Sequence, residues 1–165
     1  MQRPAIDPAL RRVLAGSATV GRLLDLCEEN YQLLRTLAPQ LRSLRGHHSA
    51  FAAHEGPDLH LEILEQSRYT TTLRLTYFFD ELAGRAADPD ATLRAYHDAR
   101  QVEVLDLRQG ALPVAPAFSP PGLDRKWKAN LFVSKWLCFS VVGGYRFQSV
   151  AVKPGHGSAR IVSAA

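Results

Sequence analysis

Tyr96, His97 and Asp98 are the residues of this 165-residue chain best suited by type and spacing to do chemistry. Histidine is the side chain whose ordinary titration falls near neutral pH, and a nearby carboxylate can orient or charge its ring. General acid–base catalysis uses such a pair. Adjacent residues of a strand point to opposite faces, so His97 and Asp98 cooperate only where a turn bends them together. The competing role is structural. Asp98 would close a hairpin by accepting a backbone N–H, while Tyr96 and His97 pack across the sheet. The turn chemistry favours that role over catalysis.

Three further residues complete a candidate ligand or partner site. Tyr69 and Thr71 belong to Tyr69-Thr70-Thr71-Thr72, whose hydroxyls suit a phosphate or a sugar. Alternating threonines also suit cross-strand packing on a half-exposed strand, and this is the preferred reading. Asn30 shares neighbouring helix positions with Cys27 and Tyr31, at spacings of three and four. Cys27 lies mid-helix beside Glu28 and Glu29, a poor setting for a nucleophilic thiolate. Core packing suits it better.

Other chemistries lack their signatures. Of six histidines, His47, His48, His54 and His60 fall close together, yet without the tight paired spacing of zinc ligands. No glycine-rich phosphate loop, GxSxG or HExxH occurs. No metal or other cofactor is expected, and the chain reads away from an enzyme. Cys27 and Cys138 are expected as reduced, buried thiols rather than a disulfide.

Charge is unevenly placed. The first 46 residues hold seven arginines against four acids. Residues 47–110 hold six cations against eleven acids, and residues 111–165 seven against one. A nucleic-acid platform built on a sheet should be basic across its face, so the acidic centre argues against one. A candidate basic patch remains at Arg125, Lys126, Lys128 and Lys135, around Trp127. Cations at a helix start oppose the macrodipole, which hints at an RNA or acidic partner, although a solvated face is the commoner role.

The elements that would position these residues follow from periodicity. Val20, Leu23, Leu24, Cys27, Tyr31, Leu34 and Leu37 draw a helical stripe over about Thr19 to Ala38, with Ser17 or Thr19 as cap and Pro39 as stop. His48 to His54 reads as an edge strand and Leu59 to Leu64 as a half-buried one. Gln66 to Arg68 is expected to turn the chain. Thr70 to Phe79 is the clearest strand, and Leu93 to Val104 reads as strand, turn at His97 to Arg100, strand. Asp80 to Asp90, polar and holding Gly84 and Pro89, is expected as a loop. Asp124 is the expected N-cap of a helix from Arg125 to about Val142. Tyr145 to Val152 could add a short strand.

The fold expected is α+β: an antiparallel, meander-like sheet of about five strands, flanked in sequence by an N-terminal and a C-terminal helix packed on one face. Residues 1–18 form a loose lead-in, residues 19–144 one domain, and residues 145–165 a C-terminal extension with a flexible tail from about residue 153. The N-terminus lacks a secretory apolar core, and no apolar run approaches the roughly 18 residues of a membrane span.

Four motifs carry a family resemblance: Leu26 to Leu34 (LCEENYQLL), Ser67 to Leu75 (SRYTTTLRL), Leu93 to Val104 (LRAYHDARQVEV) and the Asn130/Phe132/Trp136-Leu137 pattern. In these the chain resembles the YqiB-like family of small bacterial proteins of unknown function. The resemblance implies a single-domain bacterial cytoplasmic protein and implies no reaction. Where family members carry an acidic residue after the aspartate that opens the last helix, this chain has Arg125 and Lys126. The functional expectation is a non-catalytic binding or adaptor protein with a protein or small-molecule partner. Next stands a ligand-binding protein or enzyme with a cleft near Tyr96, His97 and Asp98. RNA binding through the basic helix ranks last.

Overall fold

The computed structural model describes residues 19–81, 84–110 and 122–148. Helix α1 spans Val20–Leu37 and opens where expected: the Thr19 hydroxyl accepts the Arg22 N–H at 3.3 Å. Its stripe buries Leu26, Cys27, Asn30, Tyr31, Leu34 and Leu37. The Ala38-Pro39 step ends it, since proline disfavours helical geometry in the residue before it. A turn follows, and its Leu41 and Leu44 plug the core below the helix end.

Five strands come next: β1 His47–Ala50, β2 Leu59–Gln66, β3 Thr70–Glu81, β4 Gly84–Tyr96 and β5 Gln101–Arg108. They pair antiparallel in the order β1-β2-β3-β4-β5, a meander. Helix α2 spans Leu123–Val142. The inner sheet face presents Leu59, Leu61, Leu73, Leu75, Leu93, Ala95 and Val102, all fully buried, in one core with Leu34 and Leu37 of α1 and Val133 and Leu137 of α2. Period-2 alternation puts Thr72, Arg74, Arg94 and Glu103 on the opposite, outer face. The chain is thus α+β with an N-terminal and a C-terminal helix, as its periodicities predict.

Several local expectations are corrected, among them the edge strand, which ends at Ala50 and does not reach His54. Most of Asp80 to Asp90 is strand and not loop: β3 runs to Glu81 and β4 starts at Gly84, with Phe78 opposite Ala87, Phe79 opposite Ala86 and Asp80 opposite Arg85. Polar composition suits this outer part of the hairpin, where Arg85 is exposed and Ala86 to Asp90 are half-buried. Pro89 fits because its carbonyl accepts the Thr76 hydroxyl at 2.8 Å, beside a register shift between Thr76 and Phe78. Gln66 ends β2 instead of belonging to the turn. Asp124 is not the N-cap: α2 begins two residues earlier, at Leu123, capped by Gly122 without a side-chain bond, and Asp124 pairs along the helix with Lys128 at 2.9 Å. Cys27 is buried and free, whereas Cys138 is free but exposed.

After Gly144, whose φ of 79° lies in the left-handed region suited to glycine, the chain returns to the core. Tyr145 and Phe147 are buried, and the Phe147 N–H donates to Leu37 O at 2.7 Å. No strand forms over residues 145–148. The expected lead-in and the tail from about residue 153 lie outside the described residues.

Candidate functional site

The β3–β4 pairing sets Thr71 opposite Ala95 and Thr70 opposite Tyr96, which carries the turn at His97 beside the start of β3. The His97 N–H donates to Tyr69 O at 2.8 Å and fixes the turn. The imidazole tips inward, 8% exposed, under helix α1. There its Nε2 lies 2.8 Å from Thr71 Oγ1 and its Nδ1 3.1 Å from the Tyr31 hydroxyl.

The polarity of this chain of bonds follows from its far end. Leu41 O and Leu44 O can only accept, so the Gln66 amide N–H groups face them, at 2.9 and 3.4 Å. Gln66 Oε1 is left toward Thr71, and only the Thr71 O–H can fill it. Thr71 Oγ1 therefore accepts from His97 Nε2–H. His97 Nδ1 is then the bare acceptor of the neutral ring and takes the Tyr31 O–H. Tyr31 in turn accepts weakly from Arg35 Nη1 at 3.5 Å. One directed path thus runs from α1, through the imidazole, to the turn that follows α1.

Electrostatics agree with a neutral ring. Burial, then the Arg42 charge, then the Arg35 charge push His97 below its ordinary value of 6.5, and Asp98 opposes them only weakly. With both ring nitrogens engaged and the ring neutral, His97 has no free position from which to move a substrate proton.

Of the candidate ligand-site residues singled out in the sequence, only Thr71 and His97 meet through side chains. Tyr69 is 52% exposed, its ring 5.2 Å from the Arg68 guanidinium. Tyr96 points to the outer face and donates to Glu103 Oε2 at 3.1 Å. Asp98 is exposed, and among the described residues its side chain makes no hydrogen bond. Asn30 is buried but turns to α2, donating to Asn130 O at 3.1 Å, while its own Oδ1 has no partner among the described residues. Asn130 Oδ1 also lies 3.7 Å from Cys27 Sγ. Burial, then the Glu103 charge, raises the Cys27 thiol above its ordinary value, against a smaller effect of Lys126, so it stays protonated and unreactive.

Tyr31, Arg35, Arg42 and Gln66 were not singled out. Tyr31 and Arg35 are one turn apart on α1, and that spacing was the available signal. In the basic helix, Lys126 pairs with Glu103 at 3.4 Å and Lys128 with Asp124, while Arg125 and Lys135 are exposed. Trp127 is buried, so its ring is not offered for stacking. His47 Nε2 and His60 Nδ1 approach to 3.1 Å on the sheet, but no group of three metal-ligating side chains converges among the described residues.

A five-stranded meander with two helices over one face, and a saturated imidazole between them, is a scaffold without an assembled catalytic set among its described residues. The chain belongs to the family described as a protein of unknown function, DUF1249, whose model matches residues 33–146. The match includes all five strands, α2 and Arg35, Arg42, Gln66, Thr71 and His97, and leaves out Asn30 and Tyr31. No curated protein and no solved structure matches the chain. Among the described residues, no helix is long and apolar enough to cross a membrane.

Proposed function

We propose that this chain is a non-catalytic binding or adaptor protein of the YqiB-like group, working in the bacterial cytoplasm. Its recognition surface is the end of the sheet where the turns at Ser67 to Tyr69 and His97 to Arg100 meet the Arg35 to Arg42 stretch. The observation that carries this reading is the His97 ring, held neutral with Nδ1 and Nε2 both occupied. Such a ring stiffens a surface and performs no proton transfer. Around it stand exposed groups suited to contact: Tyr69, Arg42 and Arg68. The outer sheet face fits nucleic acid less well, because Arg74 is already paired with Asp90 at 2.7 Å and Arg108 with Asp106 at 3.2 Å.

The test is site-specific photo-crosslinking in a bacterial host, with the crosslinker at position 69 and, as control, at position 135. A discrete adduct from position 69 that Arg42→Glu abolishes is the expected result. Equal adducts from both positions would remove this surface. Turnover of a phosphoester and nucleotide panel by the purified protein, abolished in His97→Ala, would overturn the non-catalytic reading.

A further inference from the structure

We infer that Arg35 and Arg42 form a binding site for the phosphate group of a small molecule, beside the Tyr31–His97 pair. The inference rests on the binding reading above and supplies its ligand class.

Four ion pairs occur among the described residues: Arg74–Asp90, Arg108–Asp106, Lys126–Glu103 and Lys128–Asp124. None involves Arg35 or Arg42. The Arg35 guanidinium touches two neutral oxygens, Tyr31 OH at 3.5 Å and Pro39 O at 3.2 Å, and its Nε is buried without a partner among the described residues. Arg42 is exposed and donates to Arg68 O at 3.2 Å. A guanidinium has five donors, so both arginines keep most of theirs unused among the described residues.

Arg35 Nη1 reaches the Tyr31 hydroxyl that binds His97 Nδ1, and Arg42 Nη2 reaches Arg68 O, one residue before the Tyr69 O that accepts the His97 N–H, so both guanidinium groups lie beside the His97 turn. The carboxylate that also acts there, Asp98, is exposed and holds neither arginine. Two cations beside a neutral, buried imidazole leave local positive charge that an anion would neutralise. A guanidinium fork matches the oxygens of a phosphate two at a time. Two forks suit a phosphate monoester, close to a dianion above neutral pH, better than a singly charged carboxylate. The half-exposed Tyr69 ring, next in the chain to Arg68, offers a flat apolar face to the rest of the molecule.

The probe is inorganic phosphate, titrated into the full chain and followed by amide and arginine side-chain NMR at constant ionic strength, with acetate as the competing anion. Saturable shifts at Arg35, Arg42 and His97 are expected, with Arg42→Ala weakening binding by about tenfold or more, as loss of a charge-assisted bond implies. Arg42 is exposed, so this variant should fold, and Arg125→Ala should leave the affinity unchanged. Bound phosphate should also raise the His97 pKa. Absence of saturable shifts, or shifts unchanged in Arg42→Ala, would overturn the site. Acetate binding as tightly as phosphate would overturn the ligand class alone. In either case the crosslink at position 69 reports separately on whether the surface binds anything.

Discussion

Thr71 Oγ1 and His97 Nε2 stand 2.8 Å apart, although 26 residues separate them in the chain. The antiparallel register of β3 and β4 produces this contact, and through it the threonine fixes which nitrogen of the ring carries the proton. Thr71 is fully buried, so neither partner has water as a substitute.

Thr71→Val should therefore leave His97 Nε2–H and Gln66 Oε1 without partners, at a cost of about 1–3 kcal/mol. Thr71→Ser keeps the hydroxyl and should cost less than Thr71→Val. Urea unfolding midpoints of the two variants check this, and equal losses would show that the methyl group, not the hydroxyl, matters.

Acid should weaken the fold through His97. The folded ring binds a proton less readily than the unfolded one, so unfolding takes up protons as pH falls. The stabilisation is complete above the unfolded value near 6.5 and is lost as pH falls from there toward the depressed folded value. His60 acts in the same direction: burial first, then the His47 and Arg85 charges, hold it low against a smaller effect of Asp58. Unfolding free energy measured from pH 7.5 downward should decline below about 6.5, and His97→Gln should flatten the slope.

The Asn30–Asn130 contact should hold α1 to α2. Each side chain is buried, and Asn130 also donates to Lys126 O at 2.9 Å. Asn30→Ala removes the donors to Asn130 and should cost about 1–3 kcal/mol. A double-mutant cycle with Asn130→Ala should return a coupling of about 0.5 kcal/mol or more, and strict additivity would deny the link.

Arg100 closes the hairpin turn with a φ of 55°, in the left-handed region that penalises a side chain. Arg100→Gly should raise stability by up to about 1 kcal/mol, the relief of that conformation less the greater freedom of unfolded glycine. The shift in denaturant midpoint measures it.

Periodicity made the frame legible. The α1 stripe, the alternation in β3 and the turn at His97 to Arg100 are all local patterns, and the meander follows from joining neighbours. Asp80 to Asp90 misled because proline, glycine and acids are turn signals by composition, whereas here an antiparallel partner across the hairpin holds the strand. Asp124 misled for a related reason: a good capping side chain does not decide which turn the helix begins on. The site was half legible. Thr71 stood out as a hydroxyl in a strand and His97 as a titratable residue at a turn, but Tyr31 lay on an apolar stripe and read as core, while Gln66 read as a turn. Their meeting depends on strand register and helix placement, which no single stretch of sequence encodes. Tyr96 and Asp98, next to His97, were separated from it by the pleat and the turn.

The most direct test of the central claim is the ¹⁵N NMR spectrum of the His97 imidazole, followed from pH 8 downward through 6.5, its ordinary value. The expected spectrum shows the neutral ring with the proton on Nε2 and a bare Nδ1, persisting below that value. A ring that carries its proton on Nδ1, or that titrates at or above its ordinary value, would contradict the locked, non-catalytic histidine on which the binding surface rests.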